Sequence, residues 1–495
     1  LEETIMDRSM QEISQETIDL AKQAFAAANA GVQKTGIETA LGLVGVDLEA
    51  PAKKTYPVLA PLGKRIPRKK HEKGAKQVDW RAVTGINTAG LEAGVAESLI
   101  NTEITFSEID KYARYKTLNM MSSVTDEAFW MSMGFEDARA LSTLAALQSL
   151  QIEEEKYILG GNTTTTGVAL GTAPTPTLDV TAAGGCTGTF NVVIVALNLM
   201  GYLQRTVDSS GITTAIKTAT NKSAKSTAAS TGAITSKMIK ASWTTVPGAV
   251  GYAVYAGAAG SEKLQDVVTA NYWDSGTGAL TTSGQALTAL TDADQSQNVL
   301  AFDGIIYQAF ATGSGAYIKS LDNTVLTADN AGGVTELDVA LKSLWDNRRI
   351  GPSLALVNSQ EALNITKKVT GGTGNVAGFR VTLQPGESQK GLVGSFFVTG
   401  YINKFTSSLT PGNPDIVPFL VHPFLPPGMI VFISETLPYP KPEVASVFEM
   451  AVLQPYTAEE FARVTRKYPH GVTTQEALKV YFPAGIAIIY NIKNG

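Results

Sequence analysis

The 495-residue chain has a single cysteine, Cys186, so no disulfide can form within it, and a small disulfide-stapled scaffold is excluded. Cysteine this scarce points to a reducing compartment. Histidine is nearly as rare. His71, His422 and His470 stand apart, and His71-Glu72-Lys73-Gly74 leaves the His-Glu-x-x-His metal pattern after two letters. A metal site would therefore need carboxylates gathered by folding, and no metal or cofactor is expected. His422, between Val421 and Pro423, reads as a structural histidine at a strand end. Nucleophile motifs are missing too. There is no Gly-x-Ser-x-Gly, and Cys186 sits in the small-residue run Gly184-Gly185-Cys186-Thr187-Gly188. Gly371-Gly372-Thr373-Gly374-Asn375 lacks the Lys-Ser/Thr of a phosphate loop and reads as a surface loop. No catalytic constellation remains, so the chain is expected not to be an enzyme. No apolar run reaches the 18 or so residues that suggest a membrane helix. The N-terminus has no basic segment followed by an apolar one, so no signal peptide is expected. It begins with Leu1 rather than Met, as expected where an upstream segment has been removed.

What is present is unevenly placed. The net charge is −5, but Lys64, Arg65, Arg68, Lys69, Lys70, Lys73 and Lys76 lie together with only Glu72 and Asp79 against them. From Gly85 to Asp110 the charges are Glu92, Glu97, Glu103, Glu108 and Asp110, with no cation. Such a split suggests complementary faces. Residues 1–50 are polar and helix-prone, then glycine-rich, which reads as an arm without its own core. Over 56–120 apolar and polar residues alternate, as in Ile104-Thr105-Phe106-Ser107, and predict strands, with the basic stretch on a long hairpin between them.

Thr125 predicts an N-cap, followed by one helix of about 30 residues to Tyr157, roughly 45 Å long. Gly160-Gly161 is the expected stop. The run Glu153-Glu154-Glu155 reads as a solvated helix face. From Asn162 to about Gln297 charge thins and Thr, Ala, Gly and Ser dominate. Thr189–Leu197 reads as a buried strand, and Ile239–Tyr255 as strand, Pro247-Gly248 turn, strand; Asn221–Gly232 reads as a loop. Strands with turn signals at this spacing predict a β-sandwich with Trp243, Tyr252 and Tyr255 as core anchors. After Phe302 helices and strands mix again. Thr335-Glu336 opens a helix, Leu354–Val357 is a strand, Asn358-Ser359 caps a further helix, and Pro-separated strand runs fill 416–489.

In order, these features resemble the tailed-bacteriophage major capsid proteins. The arm, the hairpin and the long helix ending Glu153-Glu154-Glu155-Lys156-Tyr157-Ile158-Leu159-Gly160-Gly161-Asn162 look like that family's arm, extended loop and spine helix. Phe302-Asp303-Gly304-Ile305 resembles its Phe-Asp-Gly-Leu, and Thr335–Gly351 and Leu354–Lys368 look like its next elements. The resemblance covers 1–160 and 300–495. Within the remainder, Ala241-Ser242-Trp243-Thr244-Thr245-Val246-Pro247-Gly248-Ala249-Val250-Gly251-Tyr252-Ala253-Val254-Tyr255 is similar to a fibronectin type III strand pair. The implied fold is α+β: an arm over 1–55, an extended loop and peripheral domain with the spine helix over 56–161, an inserted all-β, immunoglobulin-like sandwich over 162–298, and an axial domain with return strands over 299–495.

The resemblance implies a virion protein assembled in the host cytoplasm. Pentamers and hexamers of itself would form an icosahedral shell that encloses double-stranded DNA without binding it specifically. A portal and decoration proteins would be its other partners, and no membrane is involved. The basic stretch has three readings: a solvated hairpin tip, a contact to an acidic face of a neighbouring copy such as the spine helix, or a nucleic-acid contact. The alternatives for the whole chain are a phage-tail or cell-surface adhesin whose sandwich binds carbohydrate or protein, and an enzyme with a fibronectin-type accessory domain.

Overall fold

The computed structural model describes residues 59–71, 75–133, 137–164, 167–371, 397–406, 415–437, 444 and 446–495. The expected arm, Lys73, Glu136 and the loop at 372–375 lie outside these residues. The described residues begin with a short helix α1 (Pro61–Arg65), started by its proline, and a three-residue strand β1 (Arg68–Lys70). Strands β2 (Gln77–Ile86) and β3 (Phe106–Arg114) pair antiparallel, with Trp80 opposite Lys111 and Ala82 opposite Ile109. The long hairpin is therefore these two strands, and the basic stretch precedes it on α1 and β1 instead of riding on it. After β4 (Lys116–Thr125), the single long helix expected from the sequence is two. Thr125 accepts from the Ala128 amide and caps α2 (Asp126–Ser132). Asp137 then accepts from the Arg139 and Ala140 amides and starts α3 (Ala138–Gly160). A second N-cap inside an apparently continuous pattern is what divides it.

Gly160 is still helical, and Gly161 has φ −63°, so this pair does not supply a left-handed stop. Its role is steric. A Cβ on Gly160 would lie 2.2 Å from Leu199 Cδ2, and one on Gly161 would lie 2.1 Å from the Phe302 carbonyl oxygen. The bare backbone lets the helix end meet two later segments.

Residues 162–298 form two main sheets. One holds β5 (Thr177–Asp179), β10 (Lys240–Ser242) and β13 (Tyr272–Asp274). The other runs β12 (Lys263–Val268), β11 (Gly251–Gly257), β6 (Ala183–Leu197), β9 (Ala229–Lys237). A short helix α4 (Leu199–Leu203) and the strand pair β7 (Thr206–Val207) and β8 (Thr213–Ala215) complete the segment. The two main sheets share one core that includes Ile194, Ala241, Trp243, Tyr252, Val254 and Trp273. Trp243 meets Tyr252 edge-on at 5.3 Å, and the Tyr252 hydroxyl accepts from the Val246 amide. Tyr255 is buried on the opposite face of its sheet, beside Val193, Val195 and Leu264, and its hydroxyl donates to Gln285. The Pro247-Gly248 turn, with Gly248 at φ +83°, carries the chain from one sheet to the other, so its two strands are not a hairpin. The stretch read as a loop at 221–232 is partly core: Lys222 is wholly buried, and its ammonium donates to the carbonyls of Thr291 and Ala293.

The ends of this segment meet. The Gly304 amide donates to the Gly161 carbonyl, and Asp303 accepts from the Thr163 amide and hydroxyl. The root is not a thin stalk, because Leu199, Tyr202 and Val250 pack in the same core as α3 and the later chain.

That later chain comprises α5 (Ile305–Phe310), β14 (Tyr317–Thr324), α6 (Thr335–Arg348), β15 (Leu354–Val357), α7 (Ser359–Gly371), β16 (Gly400–Ile402), β17 (Ile416–Val421), β18 (Ile430–Ile433), β19 (Phe448–Glu460), β20 (Lys467–Val480) and β21 (Ala487–Ile492). Helix α6 stops at Arg349, which takes a left-handed φ of 56°, and Asn358 caps α7 through the Gln360 amide. Six strands pair in the order β14-β21-β18-β15-β17-β16. Alternation assigns their faces: Leu354 and Leu356 enter the core shared with α3 and α5, while Ala355 and Val357 face Leu337, Leu341, Leu344 and Ile365 of α6 and α7. A second sheet, β1-β19-β20-β4, buries Met450, Val452, Val472 and Leu478 in the same core as Leu150 and Ile158 of α3.

Candidate subunit interface

Beyond Trp80 the hairpin leaves the body. Val83, Ile86, Phe106 and Ile109 are 56%, 74%, 60% and 44% exposed, and the connecting segment adds Val95 (52%), Leu99 (67%), Ile100 (97%) and Ile104 (56%). A two-stranded ribbon without a covering layer is marginal in water, and contiguous apolar side chains of this kind mark interaction surfaces. The tip is nevertheless ordered by its own bonds. Asn87 closes a loop with both backbone groups of Leu91, and Asn101 donates to the Glu92 carbonyl. Arg81 holds Asp110 at 2.7 Å and Glu108 at 3.2 Å across the strands, which leaves Glu92, Glu97 and Glu103 exposed and, among the described residues, without an ion pair.

The basic residues singled out in the sequence divide into two groups. Lys64, Lys69, Lys70 and Lys76 are exposed and form no ion pair among the described residues. The arginines are used inside the chain: Arg65 pairs with Glu435 at 2.7 Å, and Arg68 bridges Glu154 and Glu476. The acidic spine expected to receive a neighbour's cations is also occupied. Glu154 and Glu155 are buried, not solvated, and Glu153 pairs with Lys156. Asp126 is held by Arg463 at 3.1 Å, and Glu127 by Arg466 at 3.1 Å.

The two buried glutamates tie separate parts of the fold to α3. Glu155 accepts from the Leu62 and Gly63 amides at the start of α1, each at 2.7 Å, and from His422 Nε2 at 2.8 Å, while His422 Nδ1 accepts from the Phe424 amide. This histidine is structural, and the bonds assign its tautomer. Glu154 is met by Arg68 and by the Tyr456 hydroxyl, and the Arg68 guanidinium lies 5.1 Å from the Tyr456 ring centre. Glu476 accepts from Arg68 at 3.0 Å through one oxygen, while its other oxygen is buried without a partner. Burial, and then the neighbouring Glu154, push the Glu476 carboxyl up to about 8. Local sequence gave no sign of this cluster, because Arg68 and Glu476 are 408 positions apart.

A cleft of about 240 Å³ opens between the base of the hairpin and the body, with Trp80, Ile109, Lys111, Phe302 and Leu478 in its lining. Cys186 is buried near Ser275 and Gly278. Among the described residues no three His, Cys, Asp or Glu side chains are grouped to hold a metal ion, and no helix is long and apolar enough to cross a membrane.

No protein-family model matches the chain, and no curated protein matches it. Solved structures similar to it include the capsid of a native GTA particle (TM-score 0.41, 10% identity, covering 92% of this chain and 100% of that one). Another is the capsid of cyanophage P-SCSP1u (0.39, 9% identity, 94% and 96%). A third is the holo-SrpI encapsulin complex of Synechococcus elongatus PCC 7942 (0.38, 10% identity, 90% and 93%). At these scores and identities the likeness carries no argument about fold or activity.

Proposed function

We propose that this chain is a major capsid protein of the tailed-bacteriophage type, whose copies form the pentamers and hexamers of an icosahedral shell around double-stranded DNA. In this reading 56–161 and 299–495 build the shell wall with the arm at 1–55, and 162–298 is a sandwich on its outer face. The observation that carries the reading is the hairpin. Its outer half exposes apolar side chains on a ribbon that the other described residues do not cover, an arrangement that marks a contact with a second molecule. The order of the elements in the sequence, and the glutamates that bind α1 and β1 onto the spine helix, fit a wall element built to carry load between copies. Lys64, Lys69, Lys70 and Lys76 are further contacts to a neighbouring copy; Arg65 and Arg68 belong to the fold of one copy.

Replacing residues 87–105 by a two-residue turn tests this. The variant is expected to keep the wild-type circular dichroism spectrum and to remain unassembled under conditions in which wild type forms particles. Normal particles from the shortened hairpin contradict the assembly role of the ribbon.

A further inference from the structure

Two clefts adjoin at the root of the hairpin and share a basic wall. The first, of about 240 Å³, is lined by Trp80, Ile109, Phe302 and Leu478, together with Lys111, Arg114 and Lys116. The second, of about 530 Å³, is lined by Lys76, Tyr115 and Gln475 with the same Arg114 and Lys116, and among the described residues no carboxylate lines it. Register gathers these cations. Gln77 pairs with Arg114 where the hairpin closes, and β4 begins at Lys116, opposite Glu476. Lys111, Arg114 and Lys116 form no ion pair among the described residues. Burial, and then Arg114, pull the Lys116 ammonium below its usual value, and burial does the same to Lys111. The carboxylates around them are engaged: Asp110 by Arg81, Asp303 by the Thr163 amide and hydroxyl, and Glu476 by Arg68. The Trp80 indole N–H is buried and has no hydrogen-bond partner among the described residues.

We propose that the two clefts are one site for a nucleoside phosphate, with the base in the first against Trp80 and Phe302 and the phosphate in the second between Arg114 and Lys116. This goes beyond the shell reading and does not rest on it. Size divides the ligand. Pockets for drug-sized molecules begin at roughly 300 Å³, so the first cleft takes a single ring system and the rest extends past Arg114 into the second. Charge sets the direction. Asp110 and Asp303 line the first cleft and repel an anion, whereas the second offers cations and neutral polar groups. A phosphate monoester carries about two negative charges near pH 7 and answers more of the unmatched charge than one carboxylate does. Guanidinium also pairs with phosphate oxygens at two points, which suits Arg114 at the junction. The aromatic wall suits a base, since bases of every kind stack on aromatic side chains, and the Trp80 N–H is a donor for a ring nitrogen or carbonyl. A free nucleotide and a nucleotide within a strand present this same chemistry.

Equilibrium dialysis of the unassembled full-length chain decides it. The probes are adenosine monophosphate, adenosine, inorganic phosphate, a single-stranded decamer of deoxyadenylate and a decapeptide of glutamate. Adenosine monophosphate or the deoxyadenylate decamer is expected to saturate at one site per chain, with adenosine and inorganic phosphate each weaker by about tenfold or more. A decamer that binds more tightly than the monophosphate assigns the nucleotide to a strand, and the reverse order assigns it to a free nucleotide. Arg114→Gln changes an exposed side chain and removes no core packing, and it is expected to weaken binding about tenfold with an unchanged circular dichroism spectrum. Lys116→Gln is expected to act in the same direction, and Trp80→Phe, which keeps a ring, to lose less than Trp80→Leu. Lys69→Gln with Lys70→Gln, away from both clefts, is expected to change nothing. Four results overturn the site: no saturable binding of either nucleotide probe, inorganic phosphate as tight as the monophosphate, the glutamate decapeptide as tight as the decamer, or full affinity in Arg114→Gln. Each of them leaves the shell reading intact, because the chain under test is unassembled.

Discussion

At the scale of single residues, the account turns on carboxylates that the sequence presents as ordinary surface charge. Glu154 and Glu155 fall in a run of three acids at a helix end, where solvation is the default reading. They are buried because their partners come from α1, β1, β19 and the 421–425 turn, which no local pattern links to them. The same distance hides Glu476. Its folded-state carboxyl titrates at about 8 against 4.5 for the free group, so the folded chain holds this proton more tightly than the unfolded chain. The stability that Glu476 adds in its neutral form is complete below about pH 4.5 and is lost as pH rises to about 8. The melting temperature of the unassembled protein is expected to fall between pH 5 and pH 9, with a smaller fall in Glu476→Gln, which keeps the neutral shape. Equal slopes in the two proteins contradict the assignment. Arg68 deserves separate treatment from its lysine neighbours, since reversing its charge leaves two carboxylates facing an anion and disturbs the fold before it disturbs any contact between copies.

At the scale of elements, more could be read in advance. Alternation over 104–116 marks a strand that exists as β3, and Thr189–Leu197 reads as buried on both faces because Val192, Ile194 and Ala196 enter one core while Val193, Val195 and Leu197 enter another. Trp243 and Tyr252 are recognisable as anchors because large aromatics flanking a Pro-Gly turn have few other uses. Other features misled. Asp137 restarts a helix within a periodic run; Gly160 and Gly161 serve close approach, not a left-handed turn; and the basic stretch sits before the hairpin, with its arginines consumed internally. Helical periodicity does not show caps within it, and charge clustering does not show partners across the chain. Removing Trp243 is expected to cost the 162–298 segment about 3–5 kcal/mol, the usual range for a large aromatic cut to alanine in a core. Amide hydrogen exchange in Trp243→Ala should rise across 167–298 and stay unchanged in β4, β19 and β20. A uniform rise would show that the 162–298 segment and the body unfold as one, which the shared packing of Leu199, Tyr202 and Val250 makes the informative alternative.

At the scale of the whole molecule, the proposed shell makes two demands on this chain. The first is room for 162–298. A folded segment of about 130 residues has a radius of gyration near 14 Å, too large for a packed wall and in competition with DNA inside it. Limited proteolysis of intact particles should therefore cut within this segment, and protection until the particles are broken would place it inside. The second demand is closure, and it is the central claim. Negative-stain electron microscopy of the purified full-length protein, taken through a concentration series, tests it most directly. The account predicts closed, roughly isometric particles, with pentamers or hexamers as the smallest assemblies. Monomers at every concentration, or open fibres alone, contradict it.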